Sequence, residues 1–149
     1  MGTINNLYNK VQSCRLKEEM PNLILSTSYE ITTLNQEQLY AGQLSTGEQI
    51  QPEYASKYYA KKKNALNPEP GFGVPDIFLT GALYKSMGVS VNDSKFDIEA
   101  TVPYAAKLEE EYGSNLFRLS QTNKSKYSKG ELLRVVKEYI ENKTGLQFG

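Results

Sequence analysis

The chain has 149 residues, and its 17 Lys and Arg are balanced by 17 Asp and Glu, so the formal net charge is zero. This length fits one domain, and a neutral chain has no global basic field to attract nucleic acid or anionic lipid. Histidine and tryptophan are absent. The missing histidine excludes Ser-His-Asp and Cys-His nucleophile arrangements and every histidine-containing metal site.

A single cysteine, Cys14, excludes an intrachain disulfide and any zinc or iron–sulfur site that needs several cysteines. We expect it to be buried, as free cysteines usually are. No apolar run approaches the roughly 20 residues of a membrane span, and residues 1–12 lack the apolar stretch of a signal peptide. The sequence therefore predicts a protein of a reducing compartment with no membrane partner.

The N-terminal residues have a helical pattern. Ile4, Leu7 and Cys14 belong to a series of apolar positions at three- and four-residue steps, which predicts an amphipathic helix over 3–20. Pro21 is expected to end this helix.

An extended stretch and a short helix are predicted next. Residues 23–31 contain several β-prone side chains. Asn35, with Gln38 three residues later, has the spacing of a helix cap. Gly47 is expected to take a positive φ in a tight turn.

Positive charge is concentrated in one predicted helix that opens at Pro52. Tyr54 and Tyr58 lie four residues apart on it, as neighbours on one helix face do. Its basic residues are Lys57, Lys61, Lys62 and Lys63. Residues 67–75 follow with three prolines and two glycines, which predicts an exposed and mobile loop.

A short helix and a hairpin are predicted in the middle of the chain. Residues 79–88 place apolar side chains on one helical stripe, and Gly88 can end that helix. Apolar and polar residues then alternate on both sides of a turn at 92–94, which predicts a β-hairpin over about 88–101 with one buried face.

Two further helices complete the predicted fold. One covers 104–112 and ends at Gly113, and the last runs from the capping box of Ser128 and Glu131 to Gly145. The chain is therefore predicted to be a single α+β domain over 1–149. In it the hairpin packs against several helices, between N- and C-terminal helices. The predicted core residues are Leu79, Leu83, Met87, Phe96, Ile98, Leu108, Leu132 and Val136.

No constellation of residues predicts catalysis, a metal ion or a cofactor. Glu109, Glu110 and Glu111 are consecutive on a helix and point about 100° apart, so they cannot converge on one cation. The Gly71-Phe72-Gly73 segment is flanked by prolines and lacks the lysine of a phosphate-binding loop. The residues alone therefore predict a non-enzymatic protein.

The order of these elements resembles the tail-completion, or neck, proteins of tailed bacteriophages. The resemblance covers about residues 35–125. It is carried by the Thr-Gly-x-Leu helix start at 80–83, by the hairpin, and by the Tyr-Ala-x-x-x-Glu helix at 104–109 that ends near Gly113.

This resemblance implies an α+β protein without catalytic activity, made in the host cytoplasm and assembled into the neck or tail of the virion. Its partners would be copies of itself in a ring and other neck, portal-adaptor or tail-tube proteins, with possible DNA contact in the lumen. Tyrosine-rich neutral surfaces suit such contacts. The residues expected at the interfaces are Tyr54, Tyr58, Tyr59, Lys61, Phe72 and Val74.

A second class of function stays open. The basic residues of 57–63 are interleaved with tyrosines, and such a surface could follow a phosphate backbone and stack on bases. The alternative is therefore a small DNA-binding or packaging accessory protein.

Overall fold

The structure is a computed structural model that describes residues 2–148, so the first and last residues of the predicted domain lie outside it. It has an α+β arrangement with helices toward both ends, which confirms the predicted fold class. In chain order the elements are α1 (Gly2–Ser13), α2 (Leu16–Ser26), α3 (Ser28–Tyr40), α4 (Lys57–Leu66), α5 (Ala82–Ser86), β1 (Met87–Asn92), β2 (Lys95–Ala100), α6 (Ala105–Tyr112), α7 (Gln121–Tyr127), a π-helical turn (Ser128–Leu132) and α8 (Leu133–Thr144).

The core lies where α2, α3 and α7 surround the hairpin. Both α2 and α3 pack against β1, and α3 also packs against α7. The aliphatic side chains that are at most 1 % exposed are Ile31, Leu34, Leu39, Ile50 and Leu116. Burial of these side chains is the main favourable contribution to folding.

The hairpin forms as predicted. β1 and β2 are antiparallel, and Val89 faces Ile98 while Val91 faces Phe96. Because alternate residues of a strand share a face, these apolar pairs lie on the side that packs on the helices, and Ile98 is buried.

Three predictions for residues 3–31 are wrong. The predicted helix over 3–20 is divided at Arg15, whose φ of 49° redirects the chain. Pro21 does not end a helix but lies inside α2, where it lacks a backbone N–H donor. Residues 23–26 and 28–31 are helical rather than extended and Thr27 separates the two helices, since tertiary burial of Ile24 and Ile31 outweighs their β propensity.

Asn35 is a buried residue within α3, not the cap of a short helix. Its amide donates to the carbonyl oxygen of Leu116 at 3.2 Å. The amide of Gln38 donates to the carbonyl oxygen of Arg118 at 2.9 Å, and the Gln38 side-chain oxygen accepts from the Ser120 N–H at 2.8 Å. The two polar side chains therefore join α3 to the segment before α7 through satisfied backbone groups.

The predicted start of the last helix is also wrong. The helical run begins at Gln121, where the Ser120 hydroxyl accepts from the Asn123 N–H at 3.2 Å, and passes through the π-helical turn into α8. Glu131 pairs with Arg134 instead of capping a helix. The predicted end is confirmed, because Gly145 adopts a left-handed conformation after α8.

Of the eight predicted core residues, two are buried, five are half-buried and one is exposed. Leu83 and Ile98 are buried, and four further predicted residues are half-buried against the core: Met87, Phe96, Leu108 and Leu132. Val136 is half-buried on α8. Leu79 is 71 % exposed, because Gly81 has a φ of 81° and α5 begins only at Ala82, so Leu79 does not share its helical stripe.

We expect Leu83→Ala to lower the free energy of unfolding by about 2–5 kcal/mol, because it removes buried methyl groups and leaves a cavity. Leu79→Ala is the matched control, and we expect a change within about 0.5 kcal/mol for this exposed side chain. Urea unfolding of both variants measures the difference. Equal losses would contradict the placement of the two leucines.

Candidate interaction surface

Aromatic side chains from three separate parts of the chain line a shallow groove of about 200 Å³. They come from the region around the start of α4, from the segment before α5, and from α6 with the residue that precedes it. We call it the aromatic groove and define it by Tyr54, Tyr59, Phe78, Leu79, Tyr104 and Tyr112. Small-molecule sites usually have volumes of about 300–1,000 Å³, so this groove is better suited to protein side chains.

Aromatic stacking holds the groove in shape. The rings of Tyr54 and Tyr59 meet edge to face with centroids 4.9 Å apart. On the other side, Phe78 meets Tyr84 at 5.2 Å and Tyr40 at 6.1 Å, again edge to face. Such contacts stabilise ring orientations beyond simple burial.

Asp76 anchors the segment that carries Phe78 and Leu79. Its carboxylate is 2.7 Å from the Lys63 ammonium, and only 11 % and 3 % of the lysine and aspartate side chains are exposed. It also accepts from the Asn67 amide at 3.1 Å and from the Phe78 N–H at 3.0 Å. Lys63 donates in addition to the Phe78 carbonyl oxygen. The buried charges are thus paired and hydrogen-bonded on both sides.

Two tyrosine hydroxyls complete the surroundings of Asp76. The Tyr84 hydroxyl donates to the Asp76 carbonyl oxygen at 2.7 Å, and the Tyr54 hydroxyl lies 3.4 Å from its carboxylate. Burial, followed by the nearby Asp76 charge, raises the pKa values of Tyr54 and Tyr84. Burial also raises the pKa of Tyr112 to about 12. Tyr54 and Tyr112 line the groove, whereas Tyr84 contacts its residue Phe78.

The backbone between Asp76 and Phe78 is strained. Ile77 has a φ of 54°, a left-handed conformation that is unfavourable for a β-branched residue. The hydrogen bonds on both sides of Ile77 hold it there, and the resulting turn brings Phe78 and Leu79 to the rim of the groove, 37 % and 71 % exposed.

The predicted interface residues are only partly brought together. Tyr54 and Tyr59 line the groove, whereas Tyr58 is 70 % exposed and does not line it. The reason is that α4 starts at Lys57, with the Ser56 hydroxyl as its cap, so Tyr54 precedes the helix. Lys61 and Phe72 are also exposed away from the groove lining.

The predicted interface role of Val74 is wrong for the free chain. This side chain is 7 % exposed, and it packs where a side chain on Gly42 would lie. The loop over 67–75 is likewise not exposed throughout: Asn67, Pro70 and Gly73 are buried. The Tyr54 N–H donates to the Gly73 carbonyl oxygen at 2.9 Å, so the loop obtains its hydrogen bonds from other segments.

The basic patch is smaller than the sequence predicts. Lys57, Lys61 and Lys62 are exposed, and the Lys62 ammonium lies 4.7 Å from the centre of the Tyr58 ring. Lys63 is buried in its pair with Asp76 and is not available to a phosphate.

A separate cleft of about 440 Å³ lies beside the hairpin, and its lining includes Lys95, Arg118, Lys124 and Asp97.

A second apolar surface lies on α1. Ile4, Leu7 and Tyr8 are spaced so that they share one helical face, and they are 73 %, 46 % and 63 % exposed. The helix packs against α8, and the Tyr139 hydroxyl donates to the Cys14 carbonyl oxygen at the end of α1. Cys14 itself is 2 % exposed, which confirms that it is buried. We call the exposed face the α1 stripe.

The sequence did not predict Asp76, Ile77 or Phe78 as site residues. A signal was present, because an acidic residue and apolar residues follow Pro75 directly, but nothing local pairs Asp76 with a lysine on another element. Within residues 2–148, no three His, Cys, Asp or Glu side chains form a group that could hold a metal. No helix in the same range is long and apolar enough to cross a membrane.

These surfaces have to be interpreted from their own chemistry. No protein-family model, curated protein or solved structure matches the chain. The carboxylate of Asp76 is engaged by Lys63 and by amide donors, and the groove beside it presents aromatic rings. This arrangement can receive apolar side chains.

Proposed function

We propose that the chain is a structural, non-enzymatic subunit that forms a ring in the neck or tail of a tailed bacteriophage. The observation that best supports ring formation is that one chain carries two exposed apolar surfaces on different elements, the aromatic groove and the α1 stripe. A head-to-tail contact needs two different surfaces on each copy, and it closes into a ring when the rotation between copies permits.

The composition of the groove supports a protein partner. Tyrosine and phenylalanine are enriched at interface cores, where they bury a large area at a low cost in rotamer entropy. The assignment to a phage neck or tail rests on the resemblance of the 80–83 and 104–109 motifs, which flank the hairpin. Copies of the chain and neighbouring portal-adaptor or tail-tube proteins are the proposed partners.

Localisation in intact particles tests this function. An antibody against the chain should detect it in purified virions of the phage that encodes it, and the particle density should show symmetric copies at the junction of portal and tail. A non-structural protein of the same phage, followed through the same purification, controls for carry-over. Absence of the chain from virions would contradict the proposal.

The alternative is a DNA-binding accessory protein, and the exposure of Lys57, Lys61 and Lys62 beside Tyr58 is the observation that favours it. Retention on DNA that falls steeply with salt would indicate phosphate contacts. The variant Lys61→Gln/Lys62→Gln should abolish that retention, whereas the control Lys17→Gln/Lys107→Gln, at exposed lysines elsewhere, should not. This result, combined with absence from virions, would favour the alternative.

A further inference from the structure

We propose that the α1 stripe of one copy docks into the aromatic groove of a second copy. This inference rests on the proposed function, because it names the two surfaces through which the subunits of the ring would meet. It assigns a partner to Ile4, Leu7 and Tyr8 on one side and to Phe78 and Leu79 on the other.

The α1 stripe has the properties of a docking helix. Its apolar side chains follow the i, i+3, i+4 spacing with which a helix presents anchors to a groove. They are exposed although they are large and apolar, and the contacts of α1 with its own copy are made to α8 rather than to the groove. The stripe is thus left free for a neighbour.

The aromatic groove has the properties of the receiving surface. It is mostly apolar, and its volume of about 200 Å³ fits anchoring side chains rather than a whole helix. The buried pair of Lys63 and Asp76 fixes the segment on which Phe78 and Leu79 stand, so little ordering is needed when a partner binds.

Charge complementarity favours α1 as the occupant. The helix Gly2–Ser13 contains Lys10 and no acidic residue. Leu108 and Tyr112 of α6 line the groove, and the three residues between Leu108 and Tyr112 are all glutamates. Lys10 is attracted to the glutamate side of the groove, and the exposed Lys57 and Lys61 on the α4 side repel it, so the charges orient the entering helix.

The pairing is tested with cysteine variants of the full chain. The native Cys14 is buried, so introduced thiols can be cross-linked selectively. Leu7→Cys and Leu79→Cys are mixed under mild oxidation. The control mixture is Leu25→Cys with Leu66→Cys, because Leu25 is 45 % exposed against 46 % for Leu7, and Leu66 is 79 % exposed against 71 % for Leu79.

We expect roughly tenfold more disulfide-linked mixed dimer from the first pair than from the control pair, because docking raises the effective concentration of the two thiols. Equal amounts from the two mixtures would overturn the inference.

A charge-based test is independent of oxidation: Leu7→Glu keeps an intact groove, and Leu79→Glu keeps an intact α1 stripe. Each variant alone should fail to self-associate, because one of its two surfaces is damaged. In the mixture, the intact α1 stripe of the Leu79→Glu variant can dock into the intact groove of the Leu7→Glu variant. The expected product is therefore a dimer that contains one copy of each variant. A mixture that stays monomeric at concentrations where the wild type associates would overturn it as well.

Failure of this inference is distinguishable from failure of the proposed function. If virions contain the chain in a ring but the 7–79 cross-link does not form in them, the pairing is wrong and the function stands. If the cross-link forms in solution but virions lack the chain, the pairing is right and the function is wrong. In a closed dimer, each copy would dock its α1 stripe into the aromatic groove of the other. That result would confirm the pairing of the two surfaces but contradict the ring.

Discussion

Replacing Asp76 with asparagine is expected to lower the free energy of unfolding by about 3–5 kcal/mol, because the Lys63 ammonium is then left buried without its counter-charge. The two groups are 2.7 Å apart with 11 % and 3 % of their side chains exposed, so water cannot replace the lost carboxylate charge. Typical domains have a total stability of only about 5–15 kcal/mol. Urea unfolding, followed by circular dichroism, should therefore show a large drop in the midpoint.

The matched control is Asp97→Asn on the exposed side of β2, where we expect a change within about 0.5 kcal/mol. The double variant Lys63→Met/Asp76→Asn removes the unpaired charge and should recover part of the loss. If Asp76→Asn alone is as mild as Asp97→Asn, the pair does not anchor the groove. The Asp76→Asn substitution is also expected to loosen the groove. The yield of the disulfide between positions 7 and 79 should therefore be lower when the copy with the cysteine at 79 also carries Asp76→Asn.

Gly42→Ala is expected to lower the free energy of unfolding by about 2–5 kcal/mol, because it adds backbone strain and a steric clash at once. Gly42 has a φ of 73°, and a Cβ atom there would lie 2.5 Å from Pro70 Cβ and 2.9 Å from Val74 Cγ1. The clash would push the 67–75 loop away from the end of α3. Denaturant unfolding measures the stability, and limited proteolysis of the loop reports its displacement.

Gly47→Ala separates the two causes. Gly47 has a similar φ of 85°, but nothing lies within 4 Å of its added Cβ. We expect this control to lose about 1–2 kcal/mol from the left-handed conformation alone. The excess loss in Gly42→Ala then measures the close approach of the loop. Equal losses in the two glycine variants would show that the loop can move away without cost.

Local patterns were sufficient where short-range forces decide the structure. The hairpin follows from strict alternation on both sides of a turn, and the end of α8 follows from Gly145, which tolerates a positive φ. Gly47 likewise adopts the predicted positive φ. In each case the relevant interactions lie within a few residues or between adjacent strands, so the local sequence is sufficient to predict the structure.

Local patterns failed where distant burial decides. Residues 23–26 and 28–31 are helical because Ile24 and Ile31 are buried in the core, and α2 continues through Pro21. The spacing of Ile31, Leu34 and Leu39 is typical of one face of a helix. The β propensity of residues 23–31 outweighed this pattern in the prediction.

The sequence by itself determined the α+β class, the hairpin and the burial of Cys14, Leu83 and Ile98, because these depend on periodicity, turn residues and side-chain polarity. The tertiary structure alone decided that Lys63 is a buried partner of Asp76 rather than part of a basic patch. It also decided that three segments far apart in the chain form one aromatic groove, and that Val74 is covered while Leu79 is exposed. The physical reason is that burial, charge pairing and ring contacts are set by neighbours in space, which no local pattern of residues specifies.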